Sequence, residues 1–109
     1  MLKNSPINHL QQLMCITMEE CGELTQRCSK MMRKYKTLDQ ASDEQIKKLT
    51  EEVGDVLCMI GLMVDNDVVK WEDLQERVEY KKEKLKKWST LVWLKVRTYG
   101  FLIMYGLEH

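Results

Sequence analysis

Two short acidic motifs constrain the fold of this chain most. The first contains Glu20 and Glu23, three positions apart, and the second contains Glu52 and Asp55 at the same spacing. Side chains at this spacing point the same way on an α-helix, so two helices would each present one acidic pair. Four carboxylates brought together repel one another unless cations lie between them. Oxygen ligands of this kind suit Mg²⁺, which binds phosphates alongside carboxylates. We therefore predict a magnesium site for a polyphosphate substrate between two helices.

Composition indicates a single domain over residues 1–106. A chain of 109 residues is long enough for one hydrophobic core. One proline, five glycines and one phenylalanine suit a helical bundle better than a sheet. The net charge is zero, so charge gives no reason to expect binding to nucleic acid or to an anionic membrane. We interpret residues 107–109 as the start of a cloning-derived affinity tag.

The sequence also predicts where the protein is found. It has no signal-peptide pattern, and its longest apolar run, Phe101 to Tyr105, is too short to span a bilayer. The four cysteines lack CxxC spacing, so we expect reduced thiols in a cytoplasmic protein. A zinc site is the least favoured metal site, because His9 and the cysteines lack ligand spacing.

Apolar residues at steps of three and four predict the first helix. We expect Ser5 as its N-cap and Pro6 as its first residue. At about 100° per residue, the first acidic pair borders the apolar face, whereas Glu19 points to solvent. The apolar stripe consists of Ile7, Leu10, Met14, Thr17, Cys21, Leu24, Cys28, Met31 and Tyr35.

A capping box of Ser42 and Gln45 predicts the start of the second helix. Met59 and Leu62 form an additional apolar strip on the side of the second acidic pair. A helix that is apolar around much of its circumference belongs in the middle of a bundle or at a subunit contact. The main stripe of this helix consists of Ile46, Leu49, Val53, Val56, Leu57, Ile60, Met63 and Val64.

A turn at residues 65–67 precedes a third predicted helix, from about Trp71 to Trp88. Lys81 interrupts the apolar stripe of this helix, with Arg77 and Lys84 beside it. A lysine at such a position either extends its ammonium to the surface or faces the acidic site and contacts a phosphate. The sequence pattern leaves both alternatives open.

Residues 91–105 are rich in apolar and aromatic side chains, but neither helical nor strand periodicity prevails. We predict a fourth helix here rather than a pair of strands, packed on the bundle or on another subunit. The expected fold is therefore all-α, a four-helix-type bundle subunit. Because the apolar surface exceeds what one small bundle covers, we expect helices to join subunits into a homodimer or homotetramer.

Three motifs, in this order, resemble those of the MazG-like nucleoside triphosphate pyrophosphohydrolases, of the all-α NTP pyrophosphatase superfamily. They are Glu19-Glu20-x-x-Glu23, Glu52-x-x-Asp55 and Lys81-x-x-Lys84-Leu85. The similarity covers roughly residues 7–88. It departs at Lys86-Lys87, where many relatives have asparagine and then arginine.

This resemblance implies hydrolysis of nucleoside triphosphates to monophosphate and pyrophosphate, which removes unwanted nucleotides from the pool. It also implies that Mg²⁺, with Mn²⁺ as a possible substitute, is held by Glu20, Glu23, Glu52 and Asp55. Glu19, or one of these ligands, would orient the attacking water. Phosphate contacts are assigned to Arg77, Lys81 and Lys84.

Two alternatives remain from the sequence. Within the same superfamily, the substrate could be phosphoribosyl-ATP or dUTP, because the metal ligands are common to all these enzymes. Alternatively, the chain is a non-catalytic helical oligomer whose acidic pairs form salt bridges with lysine and arginine on solvated faces.

Overall fold

The computed structural model describes residues 8–88, and the described part of the chain is all-helical. It comprises α1 (His9–Lys34), a short 3-10 helix (Leu38–Gln40), α2 (Asp43–Asp65) and α3 (Trp71–Trp88). No strand occurs between residues 8 and 88. The all-α prediction is confirmed for this range, whereas the predicted fourth helix lies outside the described residues. None of the three α-helices combines the length and apolar character needed to cross a membrane.

The chain divides between Met63 and Val64 into two compact units. The first unit contains α1, the 3-10 helix and most of α2, and therefore all four predicted metal ligands. The second unit contains α3, with Arg77, Lys81 and Lys84.

The first helix begins at His9, and the predicted cap at Ser5 and first helical residue Pro6 lie outside the described residues. Asn8 is its N-cap, with an extended backbone, and its side-chain oxygen accepts a hydrogen bond from the Gln11 amide at 2.9 Å. The Gln11 side chain accepts in return from the Asn8 amide at 3.0 Å. This reciprocal capping box satisfies two backbone donors at once, which explains why the helix begins here.

The connection between α1 and α2 is closed by hydrogen bonds. Ser42 accepts from the Gln45 amide at 3.2 Å, which confirms Ser42 as the predicted cap of α2. The Gln45 side chain does not complete a capping box but accepts a hydrogen bond from Arg27 on α1. Hydrogen bonding by Ser42 is the largest cause of a lowered pKa for Tyr35, the residue that ends α1. The end of α1 is thereby tied to the start of α2.

The two residues of the additional apolar strip on α2 differ in burial, because Met59 is buried and Leu62 is 39% exposed. Met59, at 6% exposure, is the one buried residue among residues 8–87. It follows Glu52 by seven positions and Asp55 by four, so all three lie on the same side of the helix. The main stripe is half-buried, except Val53, which is 46% exposed. The second acidic pair therefore shares its side of α2 with the buried Met59.

The predicted stripe of α1 is only partly covered. Leu10, Cys21 and Cys28 are exposed, whereas Leu24 and Met31 are half-buried. Large apolar side chains are also exposed elsewhere among the described residues, namely at Met18, Met32, Leu38, Val53, Leu62, Val68 and Tyr80. Much apolar surface on both units is thus available for further contacts.

The turn between α2 and α3 is confirmed at residues 65–67. Asp67 has a left-handed backbone, with φ of 59°, and its amide donates to the Val64 carbonyl at 3.0 Å. Aspartate tolerates this conformation better than most residues because its short polar side chain bonds locally. The third helix then begins at Trp71, as the sequence predicts.

Candidate metal centre

Four carboxylates from α1 and α2 meet in the first unit. One oxygen from each of Glu20, Glu23, Glu52 and Asp55 lies within 4.8 Å of the others. We call these four residues the acidic cluster. Glu20 and Glu52 are half-buried, and Glu23 and Asp55 are exposed. Each helix thus contributes one inner and one outer carboxylate.

The register of the two helices explains this convergence. The acidic pair of α1 lies against the acidic pair of α2. Arg27 comes after the acidic pair on α1, and it contacts Gln45, which comes before the acidic pair on α2. Later positions on one helix therefore match earlier positions on the other, so the helices are antiparallel. We call their facing sides, which carry the acidic cluster, Arg27 and Gln45, the α1–α2 seam.

Glu20 is the most strongly perturbed member of the cluster. Its Oε2 atom is inaccessible to solvent and has no hydrogen-bond partner. Burial raises the pKa of Glu20, and the charges of Glu23, Asp55 and Glu52 and a hydrogen bond with Glu23 raise that pKa further. A negative charge is unfavourable on a carboxylate that has one enclosed oxygen and three other carboxylates nearby.

Lysine and arginine do not neutralise the acidic cluster within the described part of the chain. The salt bridges found there join neighbours on one helix, such as Lys48 to Glu44 at 3.4 Å and Lys86 to Glu83 at 3.1 Å. Within residues 8–63 of the first unit, no cluster carboxylate has a basic side chain within salt-bridge distance. The alternative, in which the acidic pairs form salt bridges on solvated faces, therefore has no salt-bridge partners within these residues.

The donor set of the cluster fits a hard divalent cation. All four ligands are carboxylates, which suit Mg²⁺ and Mn²⁺, whereas zinc sites in proteins favour sulfur and imidazole. A cation in the cluster would also give the solvent-inaccessible Oε2 of Glu20 the partner that it lacks.

The other predicted site residues are not members of the acidic cluster. Glu19 is exposed and is not a member of the cluster. Arg77, Lys81 and Lys84 are all exposed on α3, and the Arg77 guanidinium stacks on the Tyr80 ring at 4.3 Å from its centre. Their phosphate contacts stay a prediction.

Arg27 is a candidate that the sequence analysis missed. It is half-buried, its Nη1 donates to the Gln45 side chain at 3.4 Å, and its Nε is solvent-inaccessible without a partner. Arg27 follows Glu20 by seven positions and Glu23 by four, so the three share one side of α1. That spacing was the available sequence signal.

Comparison with protein-family models, with curated proteins and with solved structures gives no match for this chain. The resemblance to MazG-like enzymes therefore rests on the motif residues. Function has to be argued from the chemistry of the acidic cluster and its surroundings.

The metal-free protein is expected to lose stability as pH rises through the raised pKa of Glu20. Between the ordinary value of 4.5 and that raised value, folded Glu20 keeps a proton that the unfolded chain has released. The contribution of Glu20 to the free energy of unfolding is therefore fully present below pH 4.5 and decreases as pH rises through this window.

Thermal melting in chelator, from about pH 4 to pH 8, measures this effect as the difference between wild type and Glu20→Gln. The wild type should lose stability relative to the variant as pH rises. Parallel curves for the two proteins would contradict the assignment.

Proposed function

We propose that this protein hydrolyses nucleoside triphosphates to the monophosphate and pyrophosphate, with Mg²⁺ held by the acidic cluster and Mn²⁺ as a substitute. The observation that carries the proposal is the convergence of four carboxylate oxygens within 4.8 Å, with no basic partner among the described residues. Polyphosphates bind as magnesium complexes, so carboxylates that need a cation form a suitable site for such substrates.

When bound, Mg²⁺ supplies positive charge to phosphoryl oxygens and makes a coordinated water more acidic. The chain's own residues position the reactants. The acidic cluster would hold the cation with carboxylates from both α1 and α2. The triphosphate would thereby be oriented relative to both helices. Glu19, or a cluster carboxylate, accepts a hydrogen bond from the attacking water and takes its proton. Arg77, Lys81 and Lys84 are proposed to contact phosphate oxygens.

At the α-phosphorus, the proposed reaction forms one bond and breaks one, while the proton of the attacking water passes to the carboxylate that orients it. The water oxygen bonds to the α-phosphorus, and the bond from that phosphorus to the oxygen bridging it to the β-phosphorus breaks. The electron pair leaves with pyrophosphate. Positioning and charge stabilisation provide most of the catalysis in such reactions.

A panel of nucleotides tests this reaction. The panel includes the common ribo- and deoxyribonucleoside triphosphates, dUTP and phosphoribosyl-ATP, each with Mg²⁺, and both pyrophosphate and orthophosphate are measured. We expect pyrophosphate and a monophosphate, loss of activity with chelator, and recovery with Mg²⁺ or Mn²⁺. Orthophosphate and a diphosphate would contradict the reaction but not the metal site. A preference for phosphoribosyl-ATP or for dUTP would indicate one of the two superfamily alternatives. A preference for other nucleoside triphosphates would indicate removal of unwanted nucleotides.

We also propose that the protein is a homodimer or homotetramer. One side of α1 exposes Met18 at 70% and Met32 at 81%, with Cys21 and Cys28 exposed between them. Contiguous apolar surface of this kind usually marks a contact. We propose that this side of α1 contacts a second copy of the chain.

Sedimentation at micromolar concentration is expected to give a dimer or tetramer, because burying these side chains stabilises association. Met18→Lys combined with Met32→Lys should shift the protein toward monomer. Glu44→Lys, which changes an exposed residue of α2, is the control and should keep the assembly. A clean wild-type monomer would contradict the proposal.

A further inference from the structure

We propose that Arg27 binds the pyrophosphate part of the substrate, which then lies along the α1–α2 seam from the acidic cluster toward Arg27. This inference rests on the proposed function of the acidic cluster. It adds a substrate-binding residue and gives the triphosphate a direction.

The first support is position. Arg27 shares one side of α1 with Glu20 and Glu23 and lies four residues beyond the latter. At about 1.5 Å per residue, this places it about 6 Å farther along the helix axis. A phosphate chain held at the cluster therefore meets Arg27 as it extends along the seam toward Gln45.

The second support is unused donor capacity. A guanidinium has five N–H donors and no acceptor. Within the described residues, Arg27 makes one side-chain hydrogen bond, the 3.4 Å contact with Gln45, and its solvent-inaccessible Nε has no partner. A buried donor without an acceptor is unfavourable, so the seam is more stable with an anion bound there. The planar guanidinium also matches two phosphate oxygens at once.

The third support is the separation of charges along the seam. At one end of the seam, the carboxylates of the acidic cluster lie within 4.8 Å of one another. Arg27 forms no salt bridge with a carboxylate of the described residues. The seam thus presents a cation-binding end and, beyond it, a cationic end. A magnesium polyphosphate complex has the same order of charges. Gln45 acts as a positioning residue, because it holds one nitrogen of the guanidinium.

Inorganic pyrophosphate tests the inference without turnover. The melting temperature of the full chain is measured in chelator, with Mg²⁺, and with Mg²⁺ plus pyrophosphate. Wild type should show a rise with Mg²⁺ and a further rise with pyrophosphate. Arg27→Gln should keep the first rise and lose the second. Arg33→Gln is the matched control, because Arg33 is exposed on the same helix and bonds Ser29; it should keep both.

Kinetics add a second readout. Arg27→Gln should lower kcat/KM for a nucleoside triphosphate by tenfold or more at saturating Mg²⁺. Arg27→Lys keeps the charge but not the planar fork, so it should restore part of the pyrophosphate response. If Arg27→Gln does not fold, Arg27→Lys replaces it, with weakened pyrophosphate binding expected and wild-type binding contradicting the inference.

The outcomes separate this inference from the proposed function. A wild type without any Mg²⁺ response overturns the metal site and, with it, the role of Arg27. A normal Mg²⁺ response with no pyrophosphate response in wild type, or with equal pyrophosphate responses in wild type and Arg27→Gln, overturns the role of Arg27 alone.

Discussion

Replacing Glu52 by glutamine is expected to raise the melting temperature of the metal-free protein and to abolish pyrophosphate release. The substitution keeps the size of the side chain and removes one of four carboxylate charges that lie within 4.8 Å of one another. Removing a repulsive charge stabilises the folded chain, whereas the cation loses a ligand. Sites of this kind commonly sacrifice stability for function.

In the presence of Mg²⁺, wild type should become more stable than Glu52→Gln. A cation that binds only the folded protein stabilises it by about 2.7 kcal/mol at a concentration one hundred times its dissociation constant. Wild type should show a large rise in melting temperature, and Glu52→Gln should show a much smaller one. Asp55→Asn should behave in the same way, because it removes the other carboxylate of the pair on α2.

Glu44→Gln is the control for this experiment. Glu44 lies at the start of the same helix, where it is exposed and pairs with Lys48 at 3.4 Å. Its loss should change the free energy of unfolding by no more than about 0.5 kcal/mol and leave the Mg²⁺ response intact. Equal Mg²⁺ responses in wild type, Glu52→Gln and Asp55→Asn would mean that the acidic cluster does not bind the cation.

Lys81→Met is expected to reduce turnover by an order of magnitude or more. Methionine keeps much of the aliphatic stem and removes the ammonium, so a lost phosphate contact lowers the rate without removing packing. A tenfold loss corresponds to about 1.4 kcal/mol of transition-state stabilisation. Because Lys81 is exposed, the fold should remain intact, which circular dichroism and the melting temperature check.

Lys86→Met is the matched substitution on the same helix. Lys86 is exposed and pairs with Glu83 at 3.1 Å, so its replacement should leave turnover near that of wild type. Wild-type turnover in Lys81→Met would place Lys81 among ordinary surface lysines. A loss of the same size in both variants would indicate a general effect of positive charge on α3 rather than a contact made by Lys81.

Local chemistry explains which parts of the fold were predictable. The third helix begins where its pattern indicates, because the start of a helix depends on neighbouring residues. The turn at residues 65–67 was also predicted, since aspartate and asparagine favour such conformations. The sequence analysis did not identify the capping box of Asn8 and Gln11, with which α1 begins at His9.

The sequence by itself determined that each of two helices carries a pair of carboxylates on one side, because the spacing of side chains along a helix is a local property. Only the tertiary structure decided how those sides meet. It placed the acidic pair of α2 against the acidic pair of α1. It also placed Arg27 against Gln45 and enclosed one oxygen of Glu20. Such features depend on the rotation and register of one helix against another, which the periodicity of either helix does not encode.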